Sequence, residues 1–137
     1  YFLLIFFGYS HCPDICPLNL TTIGHTMNLL GKDSAKVQPI FVTLDPERDT
    51  PDILKPFVLH FHPRMIGLTG NVQQILEIAT TFFVRYKHTG GDGNNGYLLD
   101  HTAATYLISP QGEGLLLFPH DTPASEMVAA LHTYITP

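Results

Sequence analysis

Two cysteines four positions apart are the residues of this chain whose types and spacing are best suited to chemistry. Cys12 and Cys16 are its only cysteines, and both lie in residues 8–17, Gly-Tyr-Ser-His-Cys-Pro-Asp-Ile-Cys-Pro. On a helix, residues four apart lie on one face, with Cβ atoms about 5–6 Å apart. Two sulfurs at that spacing can share one soft metal ion or, if the backbone allows it, close a disulfide.

The segments on either side of the cysteines predict where the thiols lie. Residues 1–7 are an apolar run typical of a buried parallel strand, and residues 18–30 have helical patterning. A strand-to-helix turn places the thiols at the C-terminal edge of a sheet, where ligands bind and where a helix N-terminus lowers thiol pKa. Because proline is tolerated only in a helix's first turn, we expect the helix to begin near Cys16 and Cys12 to be the more accessible thiol.

Length and composition indicate one folded domain over residues 1–137. Hydrophobic residues make up 45% of the chain and charged residues only 14%, which excludes a disordered protein. The net charge of -5 lacks the basic surface of a nucleic-acid-binding protein, so we expect no nucleic acid partner. The opening apolar run is far shorter than the roughly 20 residues that span a bilayer. It also lacks the charged start of a signal peptide.

Further strands are predicted on both sides of a glycine-rich segment. Residues 37–44 form a second buried strand, parallel to the first because a helix separates the two. Residues 88–96, rich in Gly and Asn, form a flexible loop. Residues 97–109 form one strand, and residues 115–118 return beside it in a hairpin. The last helix begins at residues 122–123 and ends near residue 135.

Two helices and a short strand are predicted in the middle of the chain. Thr50 caps a helix that runs to about Phe61, and Asn71 caps one that runs to about Phe82. Residues 66–68 form a short strand between them. The inward face of the second of these helices is expected to carry Val72, Ile75, Leu76 and Ala79.

The order of these elements, β-α-β-α-β-α-β-β-α, predicts an α/β protein with a thioredoxin-like fold, in which helices flank a central mixed sheet. Three separated motifs then resemble the Sco/SenC family over essentially the whole chain. They are residues 7–17 around the cysteines, residues 45–50 (Asp-Pro-Glu-Arg-Asp-Thr) and residues 100–102 (Asp-His-Thr). Members of that family usually carry upstream strands and a membrane anchor. We therefore expect N-terminal strands to be missing here and the full-length protein to be membrane-anchored.

The resemblance implies a copper chaperone that delivers copper to the binuclear copper centre of cytochrome c oxidase. Carried over by position, Cys12, Cys16 and His101 are the metal ligands. Thiolates select Cu(I), and imidazole suits copper in either oxidation state. The implied partners are the copper-accepting subunit of the oxidase and another copper carrier as donor. We expect the bacterial periplasm as the location, with the mitochondrial intermembrane space as the alternative.

Other uses of the same two thiols stay open. The main alternative is a thiol-disulfide oxidoreductase that reduces the cysteines of the acceptor protein, so whether the protein is an enzyme is left undecided. A plain structural disulfide between Cys12 and Cys16 is a second alternative. A peroxidase of the thioredoxin superfamily is disfavoured, because the glutathione-peroxidase type relies on a Trp and this chain has none.

Residues around the predicted ligands are assigned supporting roles. Because His101 follows a glycine-rich loop, we expect it to move onto the metal, and His11 is a candidate fourth ligand. Asp45 should approach the cysteine turn, because it ends the strand predicted beside the first. One hypothesis is that Asp45 or Asp49 tunes the thiols or forms part of a docking surface. The alternative is that Asp45, Arg48 and Asp49 only pin their loop to the next helix.

The remaining histidines predict no second metal site. His60 and His62 are two apart, a spacing that does not place them on one helix face. Four others are expected to be solvated, namely His25, His88, His120 and His132.

Overall fold

The fold is that of a computed structural model, which describes residues 1–10, 15–82, 84, 86–89, 98–101 and 104–135. For residues 15–17, 86–89 and 98–101 it describes the backbone alone. Its strands are β1 (Phe2–Gly8), β2 (Val37–Thr43), β3 (Ile66–Leu68), β4 (Tyr86–Thr89), β5 (Leu98–His101), β6 (Ala104–Ile108) and β7 (Gly114–Pro119). Its helices are α1 (Ile15–Leu30), α2 (Pro51–Leu59), α3 (Val72–Thr81) and α4 (Ala124–Ile135).

The main sheet is mixed and has five strands in the order β3-β2-β1-β6-β7. β1 lies at its centre, parallel to β2 and antiparallel to β6. The parallel pairing predicted for the first two strands is therefore confirmed, with Phe2 opposite Val37 and Gly8 opposite Thr43. An α/β sheet with helices on both faces, as found in the thioredoxin-like fold, is the architecture that the element order predicted.

The core is divided by the sheet into two clusters. One cluster joins the sheet to α1, α2 and α4, and its fully buried members include Leu4, Phe6, Leu20, Met27 and Leu131. The other joins the opposite face to α3, and includes Ile5, Phe7, Tyr9, Val42 and Ala79. Alternate residues of β1 thus enter opposite clusters, which explains why this strand reads as a continuous apolar run.

Helix α3 begins as predicted but buries fewer residues than predicted. Asn71 and Gln74 form a capping box: the Gln74 N–H donates to Asn71 Oδ1 at 2.8 Å, and the Asn71 N–H donates to Gln74 Oε1 at 2.9 Å. Ile75 and Ala79 are buried, as expected. Val72 and Leu76 are 59% and 48% exposed, so their inward placement was wrong. The buried stripe of this helix is narrower than its apolar pattern.

Helix α2 also differs from its prediction in detail. Thr50 is its N-cap residue, but the Thr50 side chain makes no capping hydrogen bond. The helix ends at Leu59, two residues before the predicted Phe61. The chain then turns, with the His62 N–H donating to the Val58 carbonyl at 3.2 Å. A 3-10 helix, Gly31–Lys36, follows α1, and Gly31 begins it with φ +59°.

The single strand predicted over residues 97–109 is wrong. Its first part, β5, pairs with β4 in a separate two-stranded sheet, and its second part, β6, pairs with β1 and β7. Apolar alternation alone does not reveal where a strand changes partner. Most of the predicted glycine-rich loop, residues 90–96, lies outside the described residues. Within the described chain, no helix combines the length and the apolar character that crossing a membrane requires.

Candidate metal centre

The connection from β1 to α1 lies at the edge of the sheet where the sequence placed the thiols. β1 ends at Gly8, whose carbonyl accepts the Leu44 N–H at 2.7 Å, and α1 begins at Ile15. Cys16 is therefore the second residue of α1, close to the predicted helix start. Cys12 and His11 lie outside the described residues, as does the side chain of Cys16.

A buried carboxylate holds the start of this connection. Asp49 is fully buried, and its side chain accepts hydrogen bonds from both the backbone N–H, at 2.9 Å, and the hydroxyl of Ser10. The Thr43 hydroxyl donates to the same carboxylate at 2.6 Å and accepts the Asp45 N–H at 3.0 Å. Ser10 and Thr43 were missed by the sequence reasoning, because hydroxyl residues in loops and at strand ends are too common to indicate a specific contact. The loop after β2 is thereby fastened to the residues that precede Cys12.

A second contact joins the same two loops through a cation. The Arg48 guanidinium donates to the Asp45 carboxylate, which is 2% exposed. The same guanidinium lies over the Tyr9 ring, 5.8 Å from its centroid. Asp45 thus reaches toward the cysteine turn through Arg48, whereas Asp49 contacts the turn directly.

His101 ends β5, and its backbone position brings it near the same edge of the sheet. The antiparallel register places Thr105 of β6 opposite Phe6 of β1, so β6 begins beside the C-terminal end of β1. His101 comes three residues before Ala104, and three residues of chain span at most about 11 Å. The side chain of His101 lies outside the described residues. Topology therefore brings the three motifs to one edge of the sheet.

Metal ligation itself stays a prediction. Among the side chains that the structure describes, no group of three His, Cys, Asp or Glu residues is arranged to hold a metal ion. The three predicted ligands are outside that set, so their number and geometry are untested. The donor types fit copper, because thiolate sulfur and imidazole nitrogen are ligands that copper accepts.

The chain is similar to proteins of one family over nearly its whole length. Residues 1–136 match the family model described as SCO1/SenC. An SCO2-like protein of Rickettsia conorii is 44% identical over 129 residues, which is 93% of this chain and 63% of the relative. The chain thus spans less than two thirds of the length of that relative.

Solved structures support the same relationship. Arabidopsis thaliana ScoI with copper bound has a TM-score of 0.91 at 32% identity, covering 98% of this chain and 83% of the other. Bradyrhizobium japonicum ScoI with copper bound has a TM-score of 0.87 at 40% identity, covering 97% and 84%. A more distant structure is described as revealing a disulfide switch in BsSco, a Sco-family protein of cytochrome c oxidase assembly. It has a TM-score of 0.67 at 26% identity, covering 98% and 80%. By sequence and by fold, the chain belongs to the SCO1/SenC family.

Proposed function

We propose that this protein is a copper metallochaperone that delivers copper to the binuclear copper centre of cytochrome c oxidase. The observation that carries the proposal is the convergence of the cysteine turn, the Asp45–Asp49 loop and the end of β5 at one sheet edge. Copper-bound relatives at 32% and 40% identity support it. Copper in this proposal is cargo, which the protein binds and then releases to a partner.

The proposed ligands are Cys12, Cys16 and His101. The two thiolates favour Cu(I), and the imidazole stabilises copper in either oxidation state. Three ligands leave a coordination position open, through which a ligand of the acceptor can enter during transfer. Cys16 is in the first turn of α1, where the helix dipole favours the thiolate that metal binding needs.

Asp49 is proposed as a positioning residue for the cysteine turn. Its buried carboxylate holds Ser10, two residues before Cys12, through two hydrogen bonds. Through these bonds Asp49 fixes the backbone that leads into Cys12. Asp45 and Arg48 are likewise proposed to position Tyr9, because Asp45 binds the Arg48 guanidinium that lies over the Tyr9 ring.

An anaerobic Cu(I) titration against a competing chelator tests the proposal. The fully reduced parent is compared with Cys12→Ser/Cys16→Ser, with His101→Ala and with His120→Ala, a control at an exposed histidine. We expect one copper per chain, lost with both cysteines, clearly weakened without His101 and unchanged in the control. Binding that is indifferent to His101 would remove the metal role from that residue.

A second candidate function is reduction of the acceptor's cysteines by Cys12 and Cys16. The disulfide switch described for a relative at 26% identity favours this candidate. In that case His101→Ala leaves thiol-disulfide exchange with an acceptor peptide intact while weakening copper binding. A reduction potential below about -300 mV would instead indicate a structural disulfide.

The partners and the location follow from the same family. We propose the copper-accepting subunit of cytochrome c oxidase as acceptor and another copper carrier as donor. We further propose a membrane-anchored full-length protein in the bacterial periplasm or, alternatively, the mitochondrial intermembrane space. Co-purification of the full-length protein with the acceptor subunit from membranes of the native host tests these assignments.

A further inference from the structure

A polar groove between α1 and the chain that follows α2 contains two histidines unrelated to the proposed copper ligands. We call it the His25/His60 groove; its volume is about 330 Å³, and it is lined by Thr21, Gly24, His25, Asn28, His60 and Phe61. The four lining residues of α1 follow the i, i+3, i+4, i+7 spacing of a single helix stripe. His60, the C-cap residue that follows α2, is on the opposite wall.

The two walls are held together by a backbone contact. A Cβ atom at Gly24 would lie 2.3 Å from the Phe61 carbonyl oxygen, so α1 packs directly against the chain after α2. The His60 ring meets the Phe61 ring edge-on, with centroids 5.2 Å apart. The backbones next to the two histidines, at Gly24 and Phe61, therefore lie in close contact.

The groove has the chemistry of a site for a divalent cation. His25, Asn28 and His60 are exposed, so an ion can reach them from solvent. Two imidazoles, an amide oxygen and the Thr21 hydroxyl form a mixed nitrogen and oxygen donor set, which suits Ni²⁺, Cu²⁺ and Zn²⁺. The C-terminal end of α2 adds partial negative charge, and among the side chains that the structure describes no Lys or Arg lines the groove.

We propose that the His25/His60 groove binds a divalent ion of the nickel, copper and zinc group, with the imidazoles of His25 and His60 as its ligands. Asn28 and water complete the coordination. This site is separate from the proposed copper ligands, since nine helical residues, about 13 Å of helix axis, separate His25 from Cys16. The proposal goes beyond the expectation that His25 is a solvated residue and that His60 and His62 form no second metal site.

Calorimetric titration with Ni²⁺ tests the proposal in a Cys12→Ser/Cys16→Ser/His101→Ala background, so failure of the copper proposal does not affect the result. We expect one ion per chain. His25→Ala and His60→Ala should each weaken binding by at least the roughly tenfold that loss of an outer-shell partner costs. His120→Ala, an exposed histidine outside the groove, is the matched control and should leave the affinity unchanged.

A gain-of-affinity variant and a spectroscopic map make the test sharper. Asn28→Asp replaces an amide by a carboxylate and should tighten Ni²⁺ binding about tenfold, equivalent to about 1.4 kcal/mol. Paramagnetic broadening in an amide NMR spectrum should centre on residues 21–28 and 60–61. No Ni²⁺ binding, equal affinity in the background and both histidine variants, or broadening centred elsewhere would each overturn the proposal.

Discussion

The carboxylate of Asp49 accepts the backbone N–H of Ser10 at 2.9 Å across 39 residues of sequence. Ser10 lies two residues after β1 ends and Asp49 lies six residues after β2 ends, so the bond joins the loop after β2 to the loop after β1. The Asp49 carboxylate also accepts hydrogen bonds from the Ser10 and Thr43 hydroxyls. Because Asp49 is fully buried, this carboxylate is shielded from water. The cysteine turn is thus supported by a residue far from it in the chain.

Loss of this carboxylate should destabilise the fold and disturb the thiols. Asp49→Ala leaves the buried Thr43 hydroxyl and the part-buried donors of Ser10 without their acceptor, which should lower the free energy of unfolding by about 3 kcal/mol. Urea unfolding measures this loss, and alkylation of the reduced protein measures the relative rates of Cys12 and Cys16. Asp52→Ala, at an exposed position in the first turn of α2, should cost at most about 1 kcal/mol. Alkylation rates identical in parent and Asp49→Ala would contradict a positioning role.

The contact at Gly24 predicts that even one methyl group is harmful there. A Cβ at Gly24 would approach the Phe61 carbonyl oxygen to 2.3 Å, so Gly24→Ala should destabilise the protein by about 1–3 kcal/mol. Gly114→Ala is the control, because a Cβ at that strand position meets nothing within 4 Å. Thermal unfolding of both variants provides the comparison. Equal midpoints would show that α1 can shift away from Phe61 without cost.

His62 should make stability depend on pH. Burial lowers the pKa of His62, the Arg64 cation lowers it further, and the His62 Nδ1 accepts the Arg64 N–H at 3.1 Å. The unfolded chain takes up this proton near pH 6.5, whereas the folded protein resists protonation until a lower pH. The contribution of His62 to stability is therefore lost as pH falls from about 6.5 toward its lowered folded pKa.

His62→Asn tests this dependence, because the Asn amide oxygen can replace the His62 Nδ1 as acceptor of the Arg64 N–H but does not titrate. The variant should lose less stability than the parent between about pH 7.5 and pH 5 in urea unfolding experiments. His120→Asn, at an exposed histidine, should keep the parent's slope. The same slope in His62→Asn and the parent would rule out a contribution from His62.

Copper binding should stabilise the folded protein through its proposed ligands. Free Cu(I) at 100 times the dissociation constant should add about 2.7 kcal/mol to the free energy of unfolding, if the unfolded chain does not bind it. Anaerobic thermal unfolding with and without Cu(I) measures this gain. Cys12→Ser/Cys16→Ser should show none of it, and a full gain in that variant would place copper elsewhere.

Local signals in the sequence predicted most elements that position the site. The apolar run of β1, the proline-limited start of α1 and the Asn71 cap each depend on neighbouring residues, and each has its counterpart in the structure. The division of residues 97–109 between two sheets depends instead on pairing with strands that are distant in sequence. Apolar alternation continues through that change of partner, so it predicted one strand instead of two.

The candidate site was predictable in outline and less so in its contacts. The strand-to-helix turn predicted the thiols at the C-terminal edge of the sheet, and the family resemblance singled out His101. The bonds from Ser10 and Thr43 to Asp49 join loops that are distant in sequence, and hydroxyl residues in loops or at strand ends are common. Ligation of copper by Cys12, Cys16 and His101 stays a prediction.

The central place of β1 in the sheet has a consequence for synthesis of the chain. Leu3 pairs with Ile108 and Phe6 with Thr105, so one side of β1 is completed only by a strand about 100 residues later in the chain. Contacts of such long sequence separation form late, because the intervening chain must first be closed into a loop. A ribosome-bound chain therefore exposes one edge of its most apolar strand until β6 emerges.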